Sequence, residues 1–186
     1  MIYYDGCSWT EGAKATRRFC DVIGKPYTNK ATGGSSNQRI VRHLQEEDMS
    51  QYELAIIQMT LPSRTEYYDS NFPKSERGWV KVNFQQTDKP YGQHRRHEYW
   101  TEDDYNYWKH YYEHVYTDEL GHLTERIHYD FIRSYVKIPL ILMTINPKTK
   151  LSFDIHLDRI ELPKYDGWHP DAEGHDIIAR KICTFM

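Results

Sequence analysis

Three cysteines in a chain of 186 residues, Cys7, Cys20 and Cys183, are too few and too odd in number for a disulfide framework. They form no C-x-x-C pair and no Cys/His ligand spacing, which argues against a structural zinc site, and a reducing compartment is expected. Nowhere do about 18 apolar residues run together, and the mean hydropathy of -0.84 is strongly polar, so no membrane span is expected. The opening run from Met1 to Gly6 lacks a basic n-region, an apolar core and a small-residue cleavage site, so no secretion signal is read and a cytoplasmic location is expected. Positive charge is short as well. The formal net charge is -3, which gives no global field to draw nucleic acid, and the one local basic cluster, Lys89 to Arg96, falls where the chain reads as loop. Neither G-x-G-x-x-G nor G-x-x-x-x-G-K occurs, so the phosphate-cradling loops of nucleotide-binding α/β folds are missing and no cofactor is expected.

What is abundant is tyrosine and histidine, 16 and 10 residues. Many of them gather between Leu61 and His122, among them Tyr67, Tyr68, Tyr91, Tyr99, Tyr105, Tyr107, Tyr111, Tyr112 and Tyr116. Around this region the chain alternates strands and helices. Ile2 to Tyr4 reads as a strand, and Ala15, Phe19, Val22 and Ile23 share one helical face that ends at Gly24. Ile40, Val41 and Leu44 stripe a second helix that Ser35 or Ser36 can cap. Leu54 to Met59 is a continuous apolar run suited to a parallel strand buried on both faces, and Pro139 to Ile145 is another. From Leu61 to about Trp100 the pattern dissolves, with Trp79 to Phe84 the only stretch that alternates like a strand. A helix begins near Thr101 with Tyr105, Trp108, Tyr112 and Val115 on one face. A second, Asp118 to Val136, carries Leu120, Leu123, Ile127, Phe131 and Tyr135, and Ile177, Ile178 and Ile182 mark a C-terminal helix. The class is α/β, in one domain over residues 1–186, with an insertion or lid at about residues 61–122.

The chemistry concentrates at the two ends. In Asp166-Gly167-Trp168-His169-Pro170 a carboxylate three residues before a histidine can curl back and accept the ring's Nδ1 proton, which leaves Nε2 as a base. Pro170 suits the first position of the helix that follows, and Asp171 and Glu173 suit its dipole. A bare D-x-x-H is more often a loop cap beside a surface imidazole; the Pro, the Gly and the apolar helix that follow reverse that balance. At the other end, Gly6-Cys7-Ser8-Trp9 directly follows the first strand, where a serine sits at the carboxyl edge of the sheet. Alone, Ser8 would read as a helix cap. The block is not a G-x-S-x-G elbow, since the fifth residue is Thr10.

These blocks resemble the SGNH, or GDSL, hydrolases, whose serine lies in an N-terminal G-D-S block and whose Asp and His lie in a C-terminal D-x-x-H block. The resemblance implies a three-layer flavodoxin-like fold with a mostly parallel central sheet flanked by helices and the aromatic-rich insertion after the third strand. It implies a Ser8, His169 and Asp166 triad, and an oxyanion hole from the Ser8 and Gly34 amides, Gly34 matching the second block within Thr32-Gly33-Gly34-Ser35-Ser36-Asn37. A tighter likeness is to phage-encoded SGNH-like proteins with G-C-S-W and G-G-S-S-N blocks. Two departures stand out. Cys7 replaces the Asp beside the nucleophile. Where the third block has G-x-N-D, this chain reads Gln58-Met59-Thr60-Leu61, so Thr60 replaces the Asn of the oxyanion hole. Losing one such donor costs about 10² to 10³ in rate, unless the Thr60 hydroxyl, Gln58 or Arg64 substitutes. Trp9, Gln58, Arg64 and Trp168 are the expected substrate contacts.

The expected activity is cleavage of an acyl or acetyl ester, on a small molecule or a glycan, with no nucleic-acid or membrane partner and no metal. The altered third block keeps another class open: a catalytically weak SGNH-like module that binds carbohydrate or protein through its aromatic insertion. Two lesser readings are a metal on His110 and His114, one helical turn apart but without a third ligand, and Cys7 as a thiol nucleophile.

Overall fold

The structure, a computed structural model, describes residues 1–13, 15–69, 79–93, 100–164 and 166–186. His94, His97, Tyr99 and the basic residues at 95 and 96 lie outside the described residues. Five strands, β1 (Ile2–Asp5), β2 (Tyr27–Asn29), β3 (Leu54–Met59), β6 (Leu140–Thr144) and β7 (Ile155–His156), form one sheet in the order β2-β1-β3-β6-β7, every pair parallel. Side chains alternate across it with the period of two that extended chain imposes. Ile2, Tyr4, Leu54, Ile56, Ile141 and Met143 enter one core with Phe19 of α2 (Phe19–Ile23) and Ile178 and Ile182 of α6 (Ala172–Cys183). Tyr3, Ala55, Ile57, Met59 and Leu142 enter the other, with Ile40 and Leu44 of α3 (Asn37–Glu46) and Ile132 of α5 (Asp118–Tyr135). Helix, sheet and helix make three layers. The continuous apolar runs in β3 and β6 follow from burial on both faces.

Beside this sheet β4 (Thr65–Tyr68) and β5 (Trp79–Val82) pair antiparallel. Val82, Trp100, Tyr105, Trp108 and Tyr112 form a third, aromatic core that joins the pair to α4 (Glu102–His110). Thr101 caps α4 in a reciprocal box with Asp104. After Tyr111 the chain widens into a π-helical turn over Tyr111–Val115, which rotates Val115 off the buried face and leaves it exposed.

Several elements differ from their expected form. The first helical segment is split: α1 (Ser8–Glu11) is a single turn that ends at Gly12, in the left-handed region at φ 73°, before α2 begins. Ser36, not Ser35, caps α3, accepting the Arg39 N–H. Pro170 lies outside α6, bridged to Lys164, and Asp171 takes the cap position by accepting the Gly174 N–H. The face of α5 is turned from the expected one, with Leu123 and Ile127 both 58% exposed, while Gly121, Glu125 and Ile132 face inward. The cause is polar. The Glu125 carboxylate accepts from Asn146 Nδ2 at 2.9 Å and Thr149 Oγ1 at 3.0 Å, which satisfies it in the interior.

Where α6 meets α2, His175 is buried and its Nδ1 accepts the Phe19 N–H at 3.3 Å. Burial pushes its pKa down to about 4 from 6.5, against partial opposition from Asp171 and Asp21. The native state thus resists a proton that the unfolded chain accepts below about pH 6.5. Stability from this group is full above that pH and is lost as pH falls through the window down to about 4. The expected loss is on the order of 3 kcal/mol, measured as the fall in urea midpoint between pH 7.5 and 4.5, and His175→Gln should show a smaller fall than the wild type.

Candidate active site

In an open parallel sheet the crevice lies beyond the carboxyl ends of strands whose connections leave in opposite directions. Here that point is between β1 and β3: β1 connects outward to β2, β3 toward β6. The register pairs Asp5 with Ile57, so Ser8 and Thr60 stand equally far past the same rung. The D-x-x-H turn reaches this edge from the C-terminal side. His169 Nε2 lies 3.1 Å from Ser8 Oγ across 161 positions of sequence. Its Nδ1 lies 2.7 Å from Asp166 Oδ2. The other carboxylate oxygen, Oδ1, accepts the Trp168 and His169 N–H groups at 3.0 and 2.8 Å, which fixes the curl of the turn. With Nδ1 donating to the carboxylate, Nε2 is the ring's acceptor for the serine proton.

Ser8 opens α1, and its amide N–H has no protein acceptor among the described residues; the same holds for Gly34. Gly34, at φ 73°, sits in the turn closed by Ser35 N–H to Thr32 C=O. A Cβ placed on the preceding Gly33 would stand 3.8 Å from Ser8 Cβ, so this turn lies directly against the serine. Two free amides on turns that touch are what an oxyanion requires of a backbone.

One buried ion pair holds both turns. Asp5, fully buried at the end of β1, accepts the Gly6 N–H at 2.7 Å and Arg39 Nη1 at 3.2 Å on one oxygen. Its other oxygen accepts from the Tyr3 hydroxyl at 3.2 Å and stands 3.2 Å from His43 Nδ1. Burial and then the Asp5 charge push the Tyr3 phenol far up, so it remains a donor. Arg39 reaches on to Ser35 Oγ and the Lys30 carbonyl. Gly6 is required by crowding, since a Cβ there would meet Thr10 Oγ1 at 2.7 Å and Gln58 Cβ at 2.9 Å.

The third block is built differently from expectation. Thr60 is fully buried; its N–H goes to Asn37 Oδ1 at 2.8 Å, its carbonyl accepts from Asn37 Nδ2 at 3.2 Å, and its hydroxyl accepts from Arg64 Nη1 at 2.7 Å. Thr60 therefore has no exposed donor for an oxyanion. Gln58 is equally buried beneath the serine turn, bound to Thr10 Oγ1 and Cys7, and is placed as a brace and not as a substrate contact. Trp9 is likewise withdrawn from substrate: its ring lies in the core, with the Lys164 ammonium over it, 5.6 Å from the centroid. Cys7 is fully buried, which removes it as an accessible nucleophile. Arg64 is half-buried, and Trp168, next to His169 in sequence, is 67% exposed. His110 and His114 stack at 4.7 Å, and among the described residues no three or more His, Cys, Asp or Glu side chains gather as a metal site. Among those residues no helix is long and apolar enough to cross a membrane.

No family model matches the chain, and no curated protein does. Among solved structures, a GDSL-like lipase from Bacteroides thetaiotaomicron superposes with a TM-score of 0.50 at 12% identity, over 98% of this chain and 85% of that one. A protein named as an acylhydrolase from Bacteroides fragilis superposes at 0.48 and 13% identity, over 98% and 84%. The three-layer fold is thus shared with that GDSL-like lipase over 98% of this chain. Nothing in these likenesses supports a phage source.

The Asp5 and Arg39 pair generates a stability prediction. Removing one partner of a buried pair strands the other charge at a cost of about 3 to 5 kcal/mol. Arg39→Met should lower the urea midpoint accordingly, and the double variant Asp5→Asn, Arg39→Met should recover much of the loss; equal losses in both would contradict a charge-pairing role.

Proposed function

We propose that the protein is a serine ester hydrolase acting through Ser8, His169 and Asp166. One observation carries the reading: the continuous path from Asp166 Oδ2 to His169 Nδ1 at 2.7 Å and from His169 Nε2 to Ser8 Oγ at 3.1 Å. Within that reading His169 takes the Ser8 proton as Oγ attacks the acyl carbonyl, and Asp166 holds the tautomer and stabilises the imidazolium. The Ser8 and Gly34 amides receive the oxyanion. His169 then protonates the departing alcohol, and a water, deprotonated by the same ring, releases the acyl group from Ser8. The Leu61 to His122 segment is read as an insertion that borders the site; Lys81 Nζ lies 2.9 Å from Thr32 Oγ1, and Tyr112 donates to the Ser63 carbonyl at 2.7 Å. Exposed Trp168 offers a flat face suited to a sugar or an acyl chain.

The burial of Thr60 favours a second reading, a catalytically weak module that binds carbohydrate or protein. A fluorophosphonate probe separates the two. Labelling of the wild type that disappears in Ser8→Ala, and falls by about 10³ or more in rate in His169→Ala, is the result expected of a hydrolase. Folded protein that takes no label would favour the binder.

A further inference from the structure

Among the described residues, arginines withdrawn from solvent are matched with carboxylates: Arg18 with Asp21, Arg39 with Asp5, Arg42 with Glu66 and Arg133 with Asp154. Arg64 is the exception. It is half-buried, its guanidinium bonds only to the Thr60 hydroxyl, and no carboxylate lies within ion-pair distance of it among the described residues. The remaining N–H donors of that planar fork are shaped for a two-oxygen anion. It follows the carboxyl end of β3, the strand paired with the one whose end leads into the serine turn, and it is bound to Thr60 there.

Other charges around the serine fit the same picture. Lys164 lies over the ring of Trp9, the residue after Ser8, and it too has no carboxylate partner among the described residues. On the Gly33 side Lys81 Nζ is 3.3 Å from the Gly33 carbonyl, and Glu11 Oε2 is 3.1 Å from where a Gly33 Cβ would stand, so those two opposite charges offset one another. Arg64 and Lys164 thus stand as two cations without a carboxylate partner among the described residues, in a chain whose net charge is -3.

We infer that the ester taken by this site carries a second, anionic group, a carboxylate, seated on the guanidinium of Arg64; this rests on the hydrolase reading above. The carboxylate replaces the water around an unmatched cation with two charge-assisted hydrogen bonds. It holds the ester at the carboxyl edge of β3, beside the serine.

The test uses two matched ester pairs, because the carboxylate can belong to either half of the substrate. Phenyl acetate against meta-acetoxybenzoate places it on the alcohol side; p-nitrophenyl butyrate against the p-nitrophenyl monoester of glutaric acid places it on the acyl side. In at least one pair the wild type should prefer the anionic ester by about tenfold in kcat/KM, after correction for intrinsic reactivity. Arg64→Ala should bring that ratio close to one, chiefly through KM, and Arg64→Lys should keep part of it; a ratio cancels any general loss of activity. Added salt should compress the preference in the wild type. Equal or better turnover of the neutral ester in both pairs overturns the inference and leaves the hydrolase reading standing, as does a preference that Arg64→Ala does not change. Failure to turn over any of the four esters, together with no fluorophosphonate labelling, overturns both.

Discussion

A serine near the start of the chain and an imidazole near its end meet only because a parallel sheet carries both to one edge. The 3.1 Å approach of His169 Nε2 to Ser8 Oγ spans 161 positions, and no local preference of either segment could produce it. It depends on β1 and β3 lying side by side within the sheet, where the chain passes outward from β1 to β2 on one side and from β3 toward β6 on the other. It depends equally on α6 packing against α2 and holding the D-x-x-H turn over the serine.

Two devices convert that placement into a precise geometry. The first is the Asp166 carboxylate, whose one oxygen gathers the turn's own amides while the other orients the imidazole; a single side chain thus shapes the loop and sets the tautomer. The second is the buried Asp5 and Arg39 pair, which ties the end of β1 to the Gly33 and Gly34 turn. Buried ion pairs are weak contributors to net stability, so its value here is better understood as register. It keeps the Gly33 and Gly34 turn against the serine turn.

Much of this was legible in the residues themselves. Continuous apolar runs announce strands buried on both faces, and β3 and β6 stand where those runs lie. The Asp166 and His169 spacing, with a Pro and an apolar helix behind it, marks a turn whose local geometry is nearly dictated by the chain. Other features were hidden for physical reasons. Glu125 reads as a solvent-facing residue until Asn146 and Thr149 are seen to satisfy it, which is why the apolar stripe of α5 misleads about its inner face. Asn37 looks like one more polar loop residue, although its carboxamide grips both backbone groups of Thr60. Asp5 and Arg39 give one faint signal, a charge closing an otherwise apolar strand. The short β7 and the pairing of β4 with β5 depend on partners distant in sequence and have no local pattern strong enough to declare them.

In the proposed mechanism the Ser8 oxygen is nucleophilic because of the imidazole beside it. The most direct measurement is mass spectrometry of intact and digested protein, quenched in acid during turnover of an activated acetate ester. One acetyl group is expected, on the peptide that contains Ser8, and none when His169 is replaced by alanine. Turnover with Ser8 unmodified and the acetyl group elsewhere, on a tyrosine or a lysine, would contradict it.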